Sequence, residues 1–245
     1  MSARILLSTT HRVLTQVRHD KRTVALVLGI PLLLLTLVYY LYQSEAGAFD
    51  QLGLIMLGLF PFALMFILTS VAMLRERTSG TLERLLTTPL AKPDLLFGYG
   101  LAFGLVAAVQ AGFASGLAYW VFGLHTAGNA GLVILIAVAD AILGMALGLF
   151  FSAFASSEFQ AVQFMPAVVV PQIFLCGLFA PREMMAGWMQ ALSKAMPLTY
   201  AVQGLQEVGR HADPTGLMWR DLAIVLGSAI LALSLAAATL RRRTD

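Results

Sequence analysis

Six apolar runs, each about as long as a bilayer is thick, constrain this chain more than any other feature. They lie near residues 24–42, 52–74, 96–122, 132–154, 162–180 and 222–240. A helix of about 20 apolar residues crosses a hydrocarbon core about 30 Å thick. Only 12% of the 245 residues are charged, against about 25% in an ordinary soluble domain, and the mean hydropathy is +0.81. The chain reads as an all-α, polytopic membrane protein, a single transmembrane domain over residues 1–245 with six transmembrane helices.

Basic residues set the orientation, because Lys and Arg are retained in cytoplasmic loops. Arg4, Arg12, Arg18, Lys21 and Arg22 precede the first span, Arg75, Arg77, Arg84 and Lys92 lie in the 75–95 loop, and Arg241, Arg242 and Arg243 follow the last span. The other side has Arg182, Lys194, Arg210 and Arg220, all within the 181–221 loop. Both termini are therefore expected in the cytoplasm, and the protein in a plasma (inner) membrane. Residues 1–23 are expected to form a cytoplasmic amphipathic helix on the membrane surface, with Leu6, Val13, Leu14 and Val17 on one face and bases near anionic headgroups. Ala46-Gly47-Ala48 resembles a signal-peptide cleavage site, but the apolar run before it exceeds the usual 7–15 residues, so it reads as a retained span.

Composition also narrows the chemistry. The net charge of +3 is too small to point to nucleic acid. The lone Cys176 excludes an internal disulfide, and no His/Cys cluster has metal-ligand spacing. No catalytic residue and no metal site are assigned. An intramembrane enzyme would need convergent nucleophiles, acids or ligands at membrane depth. Asp140 is the one ionisable residue deep in a span. It costs about 2.5–3.5 kcal/mol on the insertion scale, which the apolar residues around it outweigh. Such acids face a protein interior or an aqueous cavity, so a transport role and a packing role both stand open for Asp140.

Two rows of small residues at i+4 spacing are expected to pack helix on helix: Gly100-Gly104-Ala108-Gly112-Gly116 and Asp140-Gly144-Gly148-Ser152. Pro31, Pro61, Pro166 and Pro171 interrupt spans, and their freed carbonyls need partners on neighbouring helices.

Two loops carry the functional signal. In residues 75–95, Thr78 or Ser79 can open a short helix whose apolar face holds Thr81, Leu82, Leu85 and Leu86, with Pro89 and Pro93 as stops. The 181–221 loop is too apolar for a plain connector. Its Met184, Trp188, Leu192 and Tyr200 suggest short outer helices that cap the bundle's outer mouth or dip back into it.

The stretch Glu76, Gly80-Thr81-Leu82-Glu83, Leu85-Leu86, Thr88-Pro89 resembles the cytoplasmic signature of type 2 ABC exporter permeases, most of all the daunorubicin-resistance group. Cys176-Gly177-Leu178-Phe179-Ala180-Pro181, Trp188 and Met196-Pro197-Leu198-Thr199-Tyr200-Ala201 resemble that family's second signature. The resemblance implies a membrane subunit that moves a drug, lipid or glycan outward by alternating access, with two copies of a separate ATPase subunit holding the ATP and Mg. It also implies a second permease chain, a second copy of itself in preference to a sister permease. Coupling to the ATPase is expected at Arg75, Glu76, Arg77, Gly80, Thr81, Leu82, Glu83 and Arg84, and an outer gate at Pro181, Trp188, Pro197 and Tyr200. The sequence contains no G-x-x-x-x-G-K-[ST] phosphate loop, so this chain is expected to bind no cofactor, and membrane lipid is its other expected contact. The alternative is an ion-coupled carrier or a channel without an ATPase.

Overall fold

The computed structural model describes residues 3–45, 47–79 and 92–239, with side chains from residue 6 onward and not for 92–96. Among these residues all regular structure is helical: α1 (Ala3–His19), α2 (Lys21–Tyr42), α3 (Ala48–Thr78), α4 (Lys92–Trp120), α5 (Ala130–Ser152), α6 (Glu158–Leu175), a 3-10 turn (Arg182–Met184), α7 (Gly187–Ala195), α8 (Pro197–Arg210) and α9 (Gly216–Thr239). Six of them, α2 to α6 and α9, are long and apolar enough to cross a membrane. Successive spans alternate in direction. One end of the bundle therefore collects α1, the end of α3, the start of α4, and the α5–α6 junction; we call it the basic end.

Local chemistry sets the junctions. Asp20 separates α1 from α2, accepting from the Thr23 hydroxyl at 2.6 Å and its amide at 3.1 Å. These two bonds hold the Asp20 carboxyl below its usual range. Gly47 turns α2 into α3 with a φ of +78°, a conformation that glycine adopts without a Cβ penalty. Thr215 caps α9, its hydroxyl accepting from the Met218 amide at 3.1 Å, so this helix starts before residue 222.

The centre of the bundle is α3 against α5, the two most buried spans. They run parallel and in step: Gly58 meets Asp140, the Phe62 carbonyl faces Gly144, and the Phe66 carbonyl faces Gly148. A Cβ at Gly144 would fall onto the Phe62 backbone, and one at Gly148 onto Phe66 and Thr69. Because neither glycine has a side chain, the Thr69 hydroxyl reaches the Met145 carbonyl on the facing helix, at 3.1 Å. The row through Asp140 is thus a backbone-to-backbone seam.

The other row behaves differently. Beside Gly104 and Gly112 there is open space, and Gly100 meets only Leu233 at 3.8 Å. Among the described residues no other backbone closes on that ridge, and a Cβ at Gly116 would meet only the Trp120 ring of its own helix, because α4 turns another face, with Ala107 and Ala111, toward α5. The tight glycine of α4 is Gly98, where a Cβ would lie 2.8 Å from Thr9 of α1. The Thr10 hydroxyl donates to the Gly98 carbonyl at 3.1 Å, so α1 docks onto α4 through Thr9, Thr10 and Val13, all buried.

One proline break is repaired in a way that can be followed atom by atom. Pro31 has no N–H for the Val27 carbonyl, and the Gln110 amide of α4 donates to that carbonyl at 3.1 Å. This fixes the otherwise thinly buried α2 to the bundle.

Gly144→Ala should therefore cost about 3 kcal/mol, the upper part of the overpacking range. Gly104→Ala and Gly112→Ala should stay within about 0.5 kcal/mol of wild type. Thermal melts of the purified variants in one detergent test the contrast.

Candidate functional site

The last turn of α3 carries Arg75, Glu76 and Arg77, and each reaches a different helix. The Arg75 guanidinium donates to both Glu158 oxygens at the start of α6, at 2.8 and 3.0 Å. Glu76 pairs with Arg12 of α1 at 3.5 Å and accepts from Gln16 at 3.5 Å. Arg77 donates to the Ser152 carbonyl at the end of α5 at 2.6 Å. Arg12 also donates to the Tyr99 hydroxyl of α4 and lies 5.6 Å from that ring's centroid. Five helices meet in this knot.

The partners revise the local reading. Thr78 and Ser79 close α3: the Ser79 amide donates to the Arg75 carbonyl at 2.9 Å, and the Thr78 hydroxyl to the Leu74 carbonyl at 3.1 Å; the short helix expected after them lies outside the described residues. The helix continues past residue 74 because its three charged side chains find long-range partners there. Gly80, Thr81, Leu82, Glu83 and Arg84 lie outside the described residues. Tyr99, Gln16 and Glu158 escaped the sequence reading. The available signal was polar side chains within one turn of a span's end.

At the opposite end, α7 and α8 divide the work expected of the outer loop. Trp188 on α7 is 70% exposed, and Pro181 is also exposed. Pro197 opens α8 as its first residue, and the Tyr200 hydroxyl donates to the Lys194 carbonyl at 2.7 Å. Pro197 and Tyr200 therefore share the α7–α8 turn, while Trp188 points away. The four do not converge on one constriction in this conformation.

α8 itself dips into the bundle. Leu198, Ala201, Val202, Leu205 and Val208 are buried, with Leu205 and Val202 against Gly58 of α3, and Gly204 against Ile136 of α5. Its C-terminal end is tied to the α4–α5 loop, where Ala127 and Gly128 amides donate to the Gly209 and Val208 carbonyls at 3.1 and 2.9 Å. A Cβ at Gly128 would be 2.7 Å from the His211 carbonyl. At its inner end the Leu198 amide donates to the Gln172 side chain of α6 at 3.3 Å. Gln172 was not foreseen; a glutamine inside an apolar run was the signal.

Asp140 lies midway along α5 with no exposed surface, and neither carboxyl oxygen has a hydrogen-bond partner. A Cβ on Gly58 would lie 3.5 Å from its Oδ2. Asp221 of α9, a second buried acid, differs at one oxygen: Arg220 donates to its Oδ1 at 2.8 and 3.1 Å, while its Oδ2 has no partner. Among the described residues no group of three or more His, Cys, Asp or Glu could hold a metal ion.

A bundle of six membrane-crossing helices, with a charged knot at one end and a helix folded back into the other, defines a multi-pass membrane protein of the permease type. The ABC-2 type transporter family model matches residues 5–208, and the chain belongs to that family. It is 28% identical over 193 residues to ABC transporter G family member 20 of Dictyostelium discoideum, covering 77% of this chain and 26% of the relative. It is 27% identical over 177 residues to the probable multidrug ABC transporter permease YbhR of Escherichia coli (strain K12), covering 72% and 48%. With the linearmycin resistance permease protein LnrN of Bacillus subtilis (strain 168) it shares 24% identity over 152 residues, covering 60% and 39%. The chain spans at most about half the length of these relatives.

The two ion pairs of the knot should differ in strength. Arg75 and Glu158 are more than half exposed and Glu76 is only 12% exposed. Double-mutant cycles to alanine should give a coupling of about 1 kcal/mol for Arg12–Glu76 and under about 0.5 kcal/mol for Arg75–Glu158, read as stability in detergent.

Proposed function

We propose that this chain is the membrane-crossing permease subunit of an ATP-driven exporter, moving an amphiphilic substrate outward. The observation that carries this reading is the base of the 80–91 segment, which springs from the knot at the end of α3. At about 1.5 Å per residue, the 31 residues of α3 make a rod about 46 Å long. At one end it is held to α1, α5 and α6; near the other it supports α8. A push on the 80–91 segment therefore reaches both ends of the bundle through one element. Alternating access by rigid-body gating needs such a lever.

In this reading the basic end faces the cytoplasm of a plasma (inner) membrane, and residues 80–91 with α1 contact a separate ATPase subunit, present in two copies, that binds ATP and Mg. Glu76, Gly80, Thr81, Glu83 and Arg84 couple the two. The double charge reversal Glu76→Arg and Glu83→Arg should abolish ATPase stimulation and export in proteoliposomes containing the companion ATPase, with membrane insertion unchanged. Transport that survives this change, persists without ATP and collapses with the proton gradient would support an ion-coupled carrier instead.

A second copy of the chain completes the pathway along α6. Its exposed face holds Val162, Gln163, Pro166, Ala167 and Pro171. Pro166 and Pro171 leave the Val162 and Ala167 carbonyls without their helical donors, and Gln163 adds an amide. Such groups are costly against hydrocarbon and suit a protein-covered interface. Gln163→Cys, in a chain with Cys176→Ser, should cross-link between copies in native membranes. A strictly monomeric product would count against pairing through α6.

A further inference from the structure

We infer that Asp140 is an intramembrane cation site, covered by α8 in this conformation, which takes the positively charged group of an amphiphilic organic cation. The inference deepens the exporter reading and rests on it for its purpose.

Three observations converge. First, Asp140 is completely buried halfway along a span, and both its oxygens lack partners. An ionised carboxylate without a partner is very costly in a low-dielectric interior, so this side chain must hold either a proton or a cation. Asp221, the other buried acid, has a cation beside it: the neighbouring Arg220 side chain donates twice to its Oδ1, although its Oδ2 also lacks a partner. No comparable provision exists for Asp140. Intramembrane acids of this kind mark substrate or ion pathways.

Second, the cover over the carboxyl is thin on the α3 side. On the α3 side it is Gly58, which contributes no side chain, and beyond Gly58 lie Val202 and Leu205 of α8. Among the described residues no basic side chain pairs with either Asp140 oxygen, so a positive charge brought by a ligand would displace no ion pair already in place.

Third, α8 is fastened unequally. Its outer end is clamped by two backbone hydrogen bonds to the α4–α5 loop and by the close approach at Gly128. Toward its inner end it is held only by bonds that involve a side chain: the Leu198 amide donates to Gln172, the Tyr200 hydroxyl to the Lys194 carbonyl and the Arg182 guanidinium to Gln203. Withdrawal of that inner end, pivoting on the clamp, would open the Gly58–Asp140 face. Thr199, at that same inner end, carries a buried hydroxyl with no partner. It lies one turn from Val202 on the same helical face and supplies a second unfilled polar group beside the opened space.

The test uses the full chain in lipid nanodiscs without any ATPase, with radiolabelled tetraphenylphosphonium as the cation and triphenylphosphine oxide as its neutral counterpart. Asp140→Asn, nearly isosteric, should weaken tetraphenylphosphonium binding by about tenfold or more and leave the neutral probe unchanged; Asp140→Glu should restore cation binding. In the wild-type chain, saturating tetraphenylphosphonium should protect Asp140 from labelling by N,N′-dicyclohexylcarbodiimide, as mapped by mass spectrometry. The protection experiment decides the matter if Asp140→Asn fails to fold. Equal cation affinity in wild type and Asp140→Asn, or labelling unaffected by the cation, overturns the site. Both outcomes are read without ATP. Absence of ATP-driven export by the wild-type chain with its companion ATPase would instead sink the exporter reading and leave the binding result standing.

Discussion

The α3–α5 seam governs the rest of the molecule. In lipid there is no water to exclude, so helices hold together through close contact and interhelical hydrogen bonds. Gly144 and Gly148 bring two backbones to a distance no other residue would allow, and the Thr69 hydroxyl then reaches across to Met145. A parallel pair packed this closely behaves as one rigid unit. α4 and α9 pack against the α5 side of that unit, while α2 and α6 lie against α3, and α8 slots in where both can touch it.

That rigidity explains the placement of charge. Arg75, Glu76 and Arg77 extend the seam's α3 beyond the apolar span and spread their contacts over α6, α1 and α5. Exposed ion pairs contribute little stability each; what these three contribute is direction. They fix the last turn of α3 against three neighbouring helices, and they oblige α1 to follow α3. The ABC-2 type transporter family match, which begins at residue 5, includes α1 in the same unit.

Much of this was legible in the residues. Six spans and the all-helical class followed from run length and low charge alone, since those quantities are summed over about 20 residues and tolerate local error. Asp140 was legible as an oddity because one acid in so apolar a run stands out. The choice between the two glycine rows was not legible. Both have i+4 spacing, and only the partner's position decides which ridge is closed: Gly144 has Phe62 opposite, and Gly104 has nothing. Long-range pairing was equally hidden. The charges of 75–84 could be paired with one another on paper, whereas Glu76 meets Arg12, 64 positions away. Local periodicity carries no information about such separations.

The contrast between seam and lid leads to a mechanical conclusion. A packed interior responds to force by switching between discrete arrangements, because close contacts do not stretch. Backbone contact at Gly144 and Gly148 leaves α3 and α5 no second arrangement nearby. α8 packs on α3 through side chains at Gly58, where Leu205 and Val202 can change rotamer or slide past a residue that has no side chain to obstruct them. The compliant joint therefore lies at the point where the buried acid sits. In the exporter reading proposed above, a load entering at the basic end would pass along α3 without deforming the seam and be relieved at the inner end of α8, where Asp140 is covered.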